Sequence, residues 1–214
     1  MARPPKTSDT ALLDRAADLV WRVGADAVSI RDLEVDLDLK APSIYRRFHS
    51  RTELISRAID RYTDTVVAGR IARYFDDADD PVAGLHGFLS TARKPMPGEV
   101  HPRGCLLTVT AAQEVHGDPM VRASVDRGLR MIADGLRRTT LRLSASGRLR
   151  ADMDHETAAD LLFVGFEGLV TLARARIDGL DSMVDAVMHA VVAASAADTS
   201  ETTRTGDLAP PHQP

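Results

Sequence analysis

SIRDLEVDLDLKAPSIYRRFHSRTEL, Ser29 to Leu54, decides the fold. Ile30, Leu33 and Leu37 stand at i, i+3 and i+7, so they line one face of a helix capped by Ser29, with Asp32 in its first turn. The helix stops near Asp38, a residue type that tolerates the left-handed backbone of a sharp reversal. Pro42 then fits the first turn of the next helix, where a missing N–H costs nothing. Two helices joined so closely cross steeply, which is a helix-turn-helix arrangement.

The second of these helices, Ala41 to Phe48, turns Ile44 and Phe48 inward and Ala41, Ser43, Tyr45, Arg46 and Arg47 outward. Charge is segregated between the two. Lys40 to Arg51 carries Lys40, Arg46, Arg47 and Arg51 with no carboxylate, whereas Ser29 to Asp38 carries Asp32, Glu34, Asp36 and Asp38 against Arg31 alone. The whole chain has a net charge of −4, so only such a local patch can hold a polyanion. A solvated charged face with two helix ends would show the same cations.

The run from Thr10 to Ala58 resembles the N-terminal domain of the tetracycline-repressor (TetR) family of bacterial transcription regulators. The resemblance rests on LLDRAADLVWRVG (Leu12 to Gly24), SIRDL (Ser29 to Leu33), APSIYRRF (Ala41 to Phe48) and SRTEL (Ser50 to Leu54). Two positions depart from the family pattern: Glu34 stands where a small residue is common and Asp38 where Gly is common. The resemblance implies an all-α chain of about nine helices, with a three-helix DNA-binding domain (9–54) before a larger helical ligand-binding and dimerisation domain (55–197). A flexible arm (1–8) and a disordered tail (198–214) flank them. It also implies a homodimer on a palindromic double-stranded DNA operator, released by a small-molecule inducer of unknown identity.

Residue roles follow from position and chemistry. Tyr45, through its phenol, and Ser50 and Arg51, at the start of the fourth helix, are expected on phosphates. Arg31, Lys40, Ala41 and Ser43 sit where similar family members reach bases, Arg31 being suited to a bidentate guanine contact. Arg46 and Arg47 suit either task. In the first helix Leu12, Leu13, Ala16, Leu19, Val20 and Val23 form the inward stripe, Gly24 ends it in the left-handed conformation, and Trp21 falls at a seam.

The remainder reads as helices only. The fourth carries Leu54, Ile55, Ala58, Ile59, Tyr62 and Val66 on one stripe, and five more follow, separated by Asp80–Pro81, Lys94–Gly104, Gly117–Pro119, Ser146–Gly147 and Asp178–Asp181. The last two, Asp154 to Ile177 and Asp181 to Ala197, are apolar on more than one face. Leu161, Gly165, Gly168, Leu169, Leu172, Val184, Val187, Met188 and Val191 are therefore expected at a dimer interface built as a four-helix bundle. A ligand pocket is expected among Phe88, Cys105, Val109, Gln113, Met131, Phe163, Phe166 and Glu167, with Gln113 and Glu167 needing polar partners.

Other classes find less support. One cysteine permits no internal disulfide, and no apolar run reaches the roughly 18 residues of a membrane span, so a cytoplasmic protein away from membranes is expected. The seven histidines form no HExxH or paired Cys/His spacing, and no phosphate loop is present, so no metal, cofactor or catalytic residue is expected. Two alternatives remain: a helical dimer that binds a protein partner and no DNA, and a Cys105-dependent enzyme using His101 or His116.

Overall fold

The computed structural model describes residues 8–95 and 98–193. Most of the expected arm, the end of the last expected helix and the expected tail lie outside them. The first helix, α1 (Asp9–Val23), is capped by Ser8, whose hydroxyl accepts the Ala11 N–H. Then come α2 (Ile30–Leu37), α3 (Ala41–Phe48) and α4 (Arg51–Tyr62). The α4 rod does not stop at Tyr62. It continues through a π-helical turn at Thr63–Val67, the short α5 (Ala68–Ile71) and a second π-helical turn at Ala72–Asp76.

Those turns correct the expected stripe. Each π turn advances the side chains by an extra residue, so Val66 is only half-buried while Val67, Ile71 and Phe75 take up the core face. Asp80 caps α6 (Pro81–Leu89), and Asp118 caps α8 (Pro119–Ala145). Between them lies α7 (Leu106–Ala111), and α9 (His155–Arg174) and α10 (Leu180–Val191) close the bundle. Among the described residues the architecture is all-helical, with nine rods when α4 and α5 are taken as one; the extended exception is an isolated bridge between Leu149 and Val192. That bridge also ends α10 earlier than its composition suggests: Ala193 donates to the Arg148 carbonyl at 2.9 Å instead of continuing the helix.

Three expectations for α1 change as well. Trp21 is buried, 4% exposed, because α1 packs on α7 as well as on α2 and α4, and its ring meets Tyr62 edge-on at 4.9 Å. Val23 is 44% exposed because the helix ends there. Gly24 does have a positive φ, 99°, but its ψ of 142° is extended rather than left-handed helical.

The core runs without a break from α1 to α10, and Phe75, Phe88 and Phe166 stack in series at its centre, with centroids 4.5 and 4.6 Å apart. The α6 helix approaches the second π turn so closely that a Cβ on Gly84 would lie 2.1 Å from the Tyr74 carbonyl oxygen. Backbone cannot yield there as a flexible side chain can. Gly84→Ala is expected to cost about 1–3 kcal/mol of stability, read as a lowered urea midpoint; an unchanged midpoint would mean that this contact is not tight in solution.

Candidate nucleic-acid interface

The reading head is built from short-range caps. Ser29 and Asp32 form a reciprocal capping box: the Ser29 N–H donates to the Asp32 carboxylate at 2.8 Å, and the Ser29 hydroxyl accepts the Asp32 N–H. The Ser29 hydroxyl and N–H hold the Asp32 carboxyl below its ordinary pKa. Asp38 then turns the chain in the left-handed conformation, φ 53° and ψ 47°. Lys40, the residue before α3, supplies no side-chain cap. Glu34 does so instead, accepting the Ala41 N–H at 2.7 Å. The carboxylate that departs from the family pattern thus locks the second helix of the pair to the first.

Not every cation expected at the interface is available. Arg51 points inward: Nε donates to the Val28 carbonyl at 2.5 Å, and Nη2 donates to the carbonyls of Ala25 and, at 3.1 Å, Asp26. Arg47 pairs with Asp9 at 2.6 Å, its side chain 15% exposed. Both were candidates because a single sequence cannot show carbonyls or a carboxylate arriving from α1 and its loop. Ser50 uses its hydroxyl as the cap of α4, accepting the Glu53 N–H at 2.9 Å. What remains outward is Arg31 on α2, Lys40 ahead of α3, and Tyr45 and Arg46 on α3, with Ala41 and Ser43 half-buried beside them. Tyr45 is 44% exposed, so its phenol is not part of the core.

Behind the head lies a joint that the sequence did not reveal. Asp26 accepts the N–H groups of Glu114 and Val115, each at 2.8 Å, and Gln113 accepts the Ala25 N–H at 2.9 Å. Gln113 therefore already has the polar partner expected of it, and that partner is backbone. The same Gln113 lines a cavity of about 350 Å³ with Cys105, Thr108, Val109, Ala112, Val170, Thr171 and Arg174.

Three of the expected pocket residues, Cys105, Val109 and Gln113, are on its wall. The other five are not. Phe88 and Phe166 are fully packed in the aromatic stack, while Met131 and Phe163 are half-buried against the core elsewhere. Glu167 stands beside the wall, accepting the Thr108 hydroxyl at 2.6 Å, and burial pushes its carboxyl above the ordinary pKa. Tyr62 reaches the same wall, donating to Cys105 Sγ at 3.8 Å, and burial raises its phenol well above the usual value.

Two family descriptions match this chain: "Bacterial regulatory proteins, tetR family" over residues 12–58, and "Tetracyclin repressor-like, C-terminal domain" over residues 81–201. The chain belongs to the TetR family. It is similar to the HTH-type transcriptional repressor ComR of Escherichia coli (strain K12), at 29% identity over 105 residues. That match spans about half of each chain, 49% of this one and 50% of ComR. Among solved structures, the TetR family transcriptional regulator CifR, a cysteine mutant complexed with double-strand operator DNA, shares 25% identity over 88% of this chain and 99% of its own, with a TM-score of 0.76. E. coli NemR in its reduced form has the same fold at 16% identity, with a TM-score of 0.76 over 88% of this chain and all of its own.

In this TetR chain the residues expected at a dimer interface divide. Leu169, Val184, Met188 and Val191 are buried within the protomer, and Gly165 faces Val187, because α9 and α10 pack on each other. Leu172 and Val187 are half-buried. Leu161 and Gly168 remain exposed, and Val164, outside the expected set, is exposed between them on the same face of α9. Replacing the inward cation should separate structural from surface roles: Arg51→Met is expected to lower stability by about 1.5–3 kcal/mol through the loss of its charged hydrogen bonds, while Lys40→Ala leaves the urea midpoint unchanged. Equal effects would show that the Arg51 contacts do not hold the head.

Proposed function

We propose that this TetR-family regulator is a repressor that binds a palindromic operator as a homodimer and leaves it when a small molecule occupies the larger domain. The observation that carries this reading is the outward face of the capped α2–α3 pair. Arg31, Lys40, Tyr45 and Arg46 are presented to solvent from helices whose backbone ends are already satisfied within the head. Arg31 has the planar donor fork suited to a guanine edge, and Lys40, Ala41 and Ser43 stand at the end of α3 that enters a major groove in this motif. Tyr45 and the Ser50 end of α4 suit phosphate contacts, with Arg46 able to serve either purpose. Arg47 and Arg51 are assigned to hold the head together. CifR, which aligns over nearly its full length, is itself a complex with operator DNA.

The exposed face of α9 supports the dimer. Leu161 is 40% exposed and Val164 66%, an apolar stripe beside the small Gly168 that lets a second helix approach. A two-fold pair would set two α3 helices about 34 Å apart, one turn of the duplex. Among the described residues no helix is long and apolar enough to cross a membrane. Inducer action would pass from the cavity through Gln113 and Asp26 to the α1–α2 loop, as well as along the α4 rod. Only a difference in ligand affinity between the DNA-competent and DNA-incompetent forms can drive that change.

Selection from a randomised duplex pool at two salt concentrations tests the reading. It predicts a palindrome occupied by two protomers, with affinity falling steeply as salt rises; a folded dimer that enriches no sequence would contradict it. On the selected operator, Arg31→Ala is expected to cost about 1–3 kcal/mol and to relax one base position, whereas Tyr45→Phe weakens all sequences alike. Equal relaxation by both would reverse their assignments.

A further inference from the structure

The cavity between α7 and α9 opens beside a second depression, a groove of about 450 Å³ lined by Arg22, Glu99, Val100, His101, Pro102, Arg103, Arg174 and Arg176. Arg174 lines both. Four guanidiniums around one groove need an account. Two have one within the protein: Arg22 reaches Asp36 at 3.4 Å, and Arg103 pairs with Glu99 and, at 2.6 Å, with Asp18 while lying 5.5 Å over the Trp21 ring.

The other two, both exposed, have no carboxylate partner among the described residues. Arg174 donates to the Arg103 carbonyl at 3.0 Å, and among the described residues neither Arg174 nor Arg176 has a carboxylate in ion-pair range. The C-terminal end of α9 offsets only about half an elementary charge. Arg176 also holds a left-handed backbone, φ 60°, at the position after a helix where glycine is the usual occupant.

The adjoining wall is different in kind. Val109, Ala112, Val170 and Cys105 make it largely apolar, and its volume lies at the lower end of the roughly 300–1,000 Å³ of small-molecule sites. Glu167, with its Thr108 partner, stands seven residues before Arg174 on α9, about 10 Å along the axis. The one carboxyl beside the wall is thus remote from Arg174 and Arg176, and the Glu99 carboxylate in the groove is engaged by Arg103.

We propose that the cavity and the groove together take a small apolar carboxylic acid, its hydrocarbon body between α7 and α9 and its carboxylate on Arg174 and Arg176. The inference rests on the ligand-responsive reading above and supplies its ligand class. Such an acid would lie against Gln113, whose amide holds the Ala25 N–H, so its binding would be felt at the α1–α2 loop.

Titration calorimetry of the full chain without DNA decides it, with octanoate, octan-1-ol and octylamine as probes that share a body and differ in charge. Octanoate is expected to bind at least about tenfold more tightly than the alcohol, the worth of one charge-assisted contact, and the amine more weakly than either. Arg174→Gln should reduce octanoate to the level of the alcohol while leaving the alcohol unchanged. Arg176→Asn, which keeps a residue tolerant of the left-handed backbone, should weaken octanoate in the same direction if Arg174→Gln fails to fold. Absence of octanoate binding, parity of acid and alcohol, or an acid preference that survives both substitutions would overturn the proposal. Operator binding by ligand-free protein is a separate readout, so failure of the acid site leaves the DNA reading standing, and a protein that binds octanoate but no duplex would sink that reading alone.

Discussion

The hydrogen bonds converging on residues 25–28 brace the reading head from both sides, from α4 within it and from the larger domain behind it. Arg51, from the first turn of α4, supplies donors to three carbonyls of that loop. From the other side Gln113 and Asp26 tie the same loop to the segment after α7. Backbone groups in a loop must find partners somewhere: here the Ala25, Asp26 and Val28 carbonyls find theirs in Arg51 within the head, and the Ala25 N–H finds its own in Gln113 of the larger domain. Together with the packing of α1 on α4 and of α4 on α8, this joint fixes how the short three-helix unit sits on the larger domain.

The α4 rod plays a complementary part. It begins with the Ser50 cap under the head and runs through two π turns into the core of the larger domain. Each π turn rotates the buried face, which lets one rod pack against α1 at its start and α6 at its end. Tyr62 marks the midpoint: its ring meets Trp21 of α1 and its hydroxyl reaches Cys105 on the cavity wall. A change at that wall is therefore one side chain from α1 and one hydrogen bond from the α1–α2 loop.

Local chemistry was legible in the sequence, and non-local chemistry was not. Ser29, Asp38 and Pro42 act on residues three or four away, so the bounds of α2 and α3 and the left-handed turn between them follow from composition and spacing. The breaks expected at Asp80–Pro81 and Gly117–Pro119 likewise fall where α6 and α8 begin. Arg51 looked like a phosphate ligand because its acceptors are main-chain oxygens 23 to 26 residues upstream, which no side-chain pattern announces. Glu34 stood out as a departure from the family pattern, but its role as the cap of α3 required the geometry of the turn. For the cavity, apolar periodicity marked Phe88 and Phe166 as strongly as Val109, since a core residue and a wall residue share one helical stripe. Arg174 and Arg176, at the end of α9, carried no signal beyond ordinary helix-terminal cations.

Hydrogen exchange at the Ala25, Glu114 and Val115 amides tests the joint most directly, in the native chain and in Gln113→Leu. If the loop and the α7 segment open as one unit, the three amides exchange with similar protection, and removing the Gln113 acceptor lowers all of them together while protection inside α8 stays unchanged. Exchange at Ala25 that is fast in the native chain, or that responds to the substitution while Glu114 and Val115 do not, would contradict the account: the head would then be held by α4 alone.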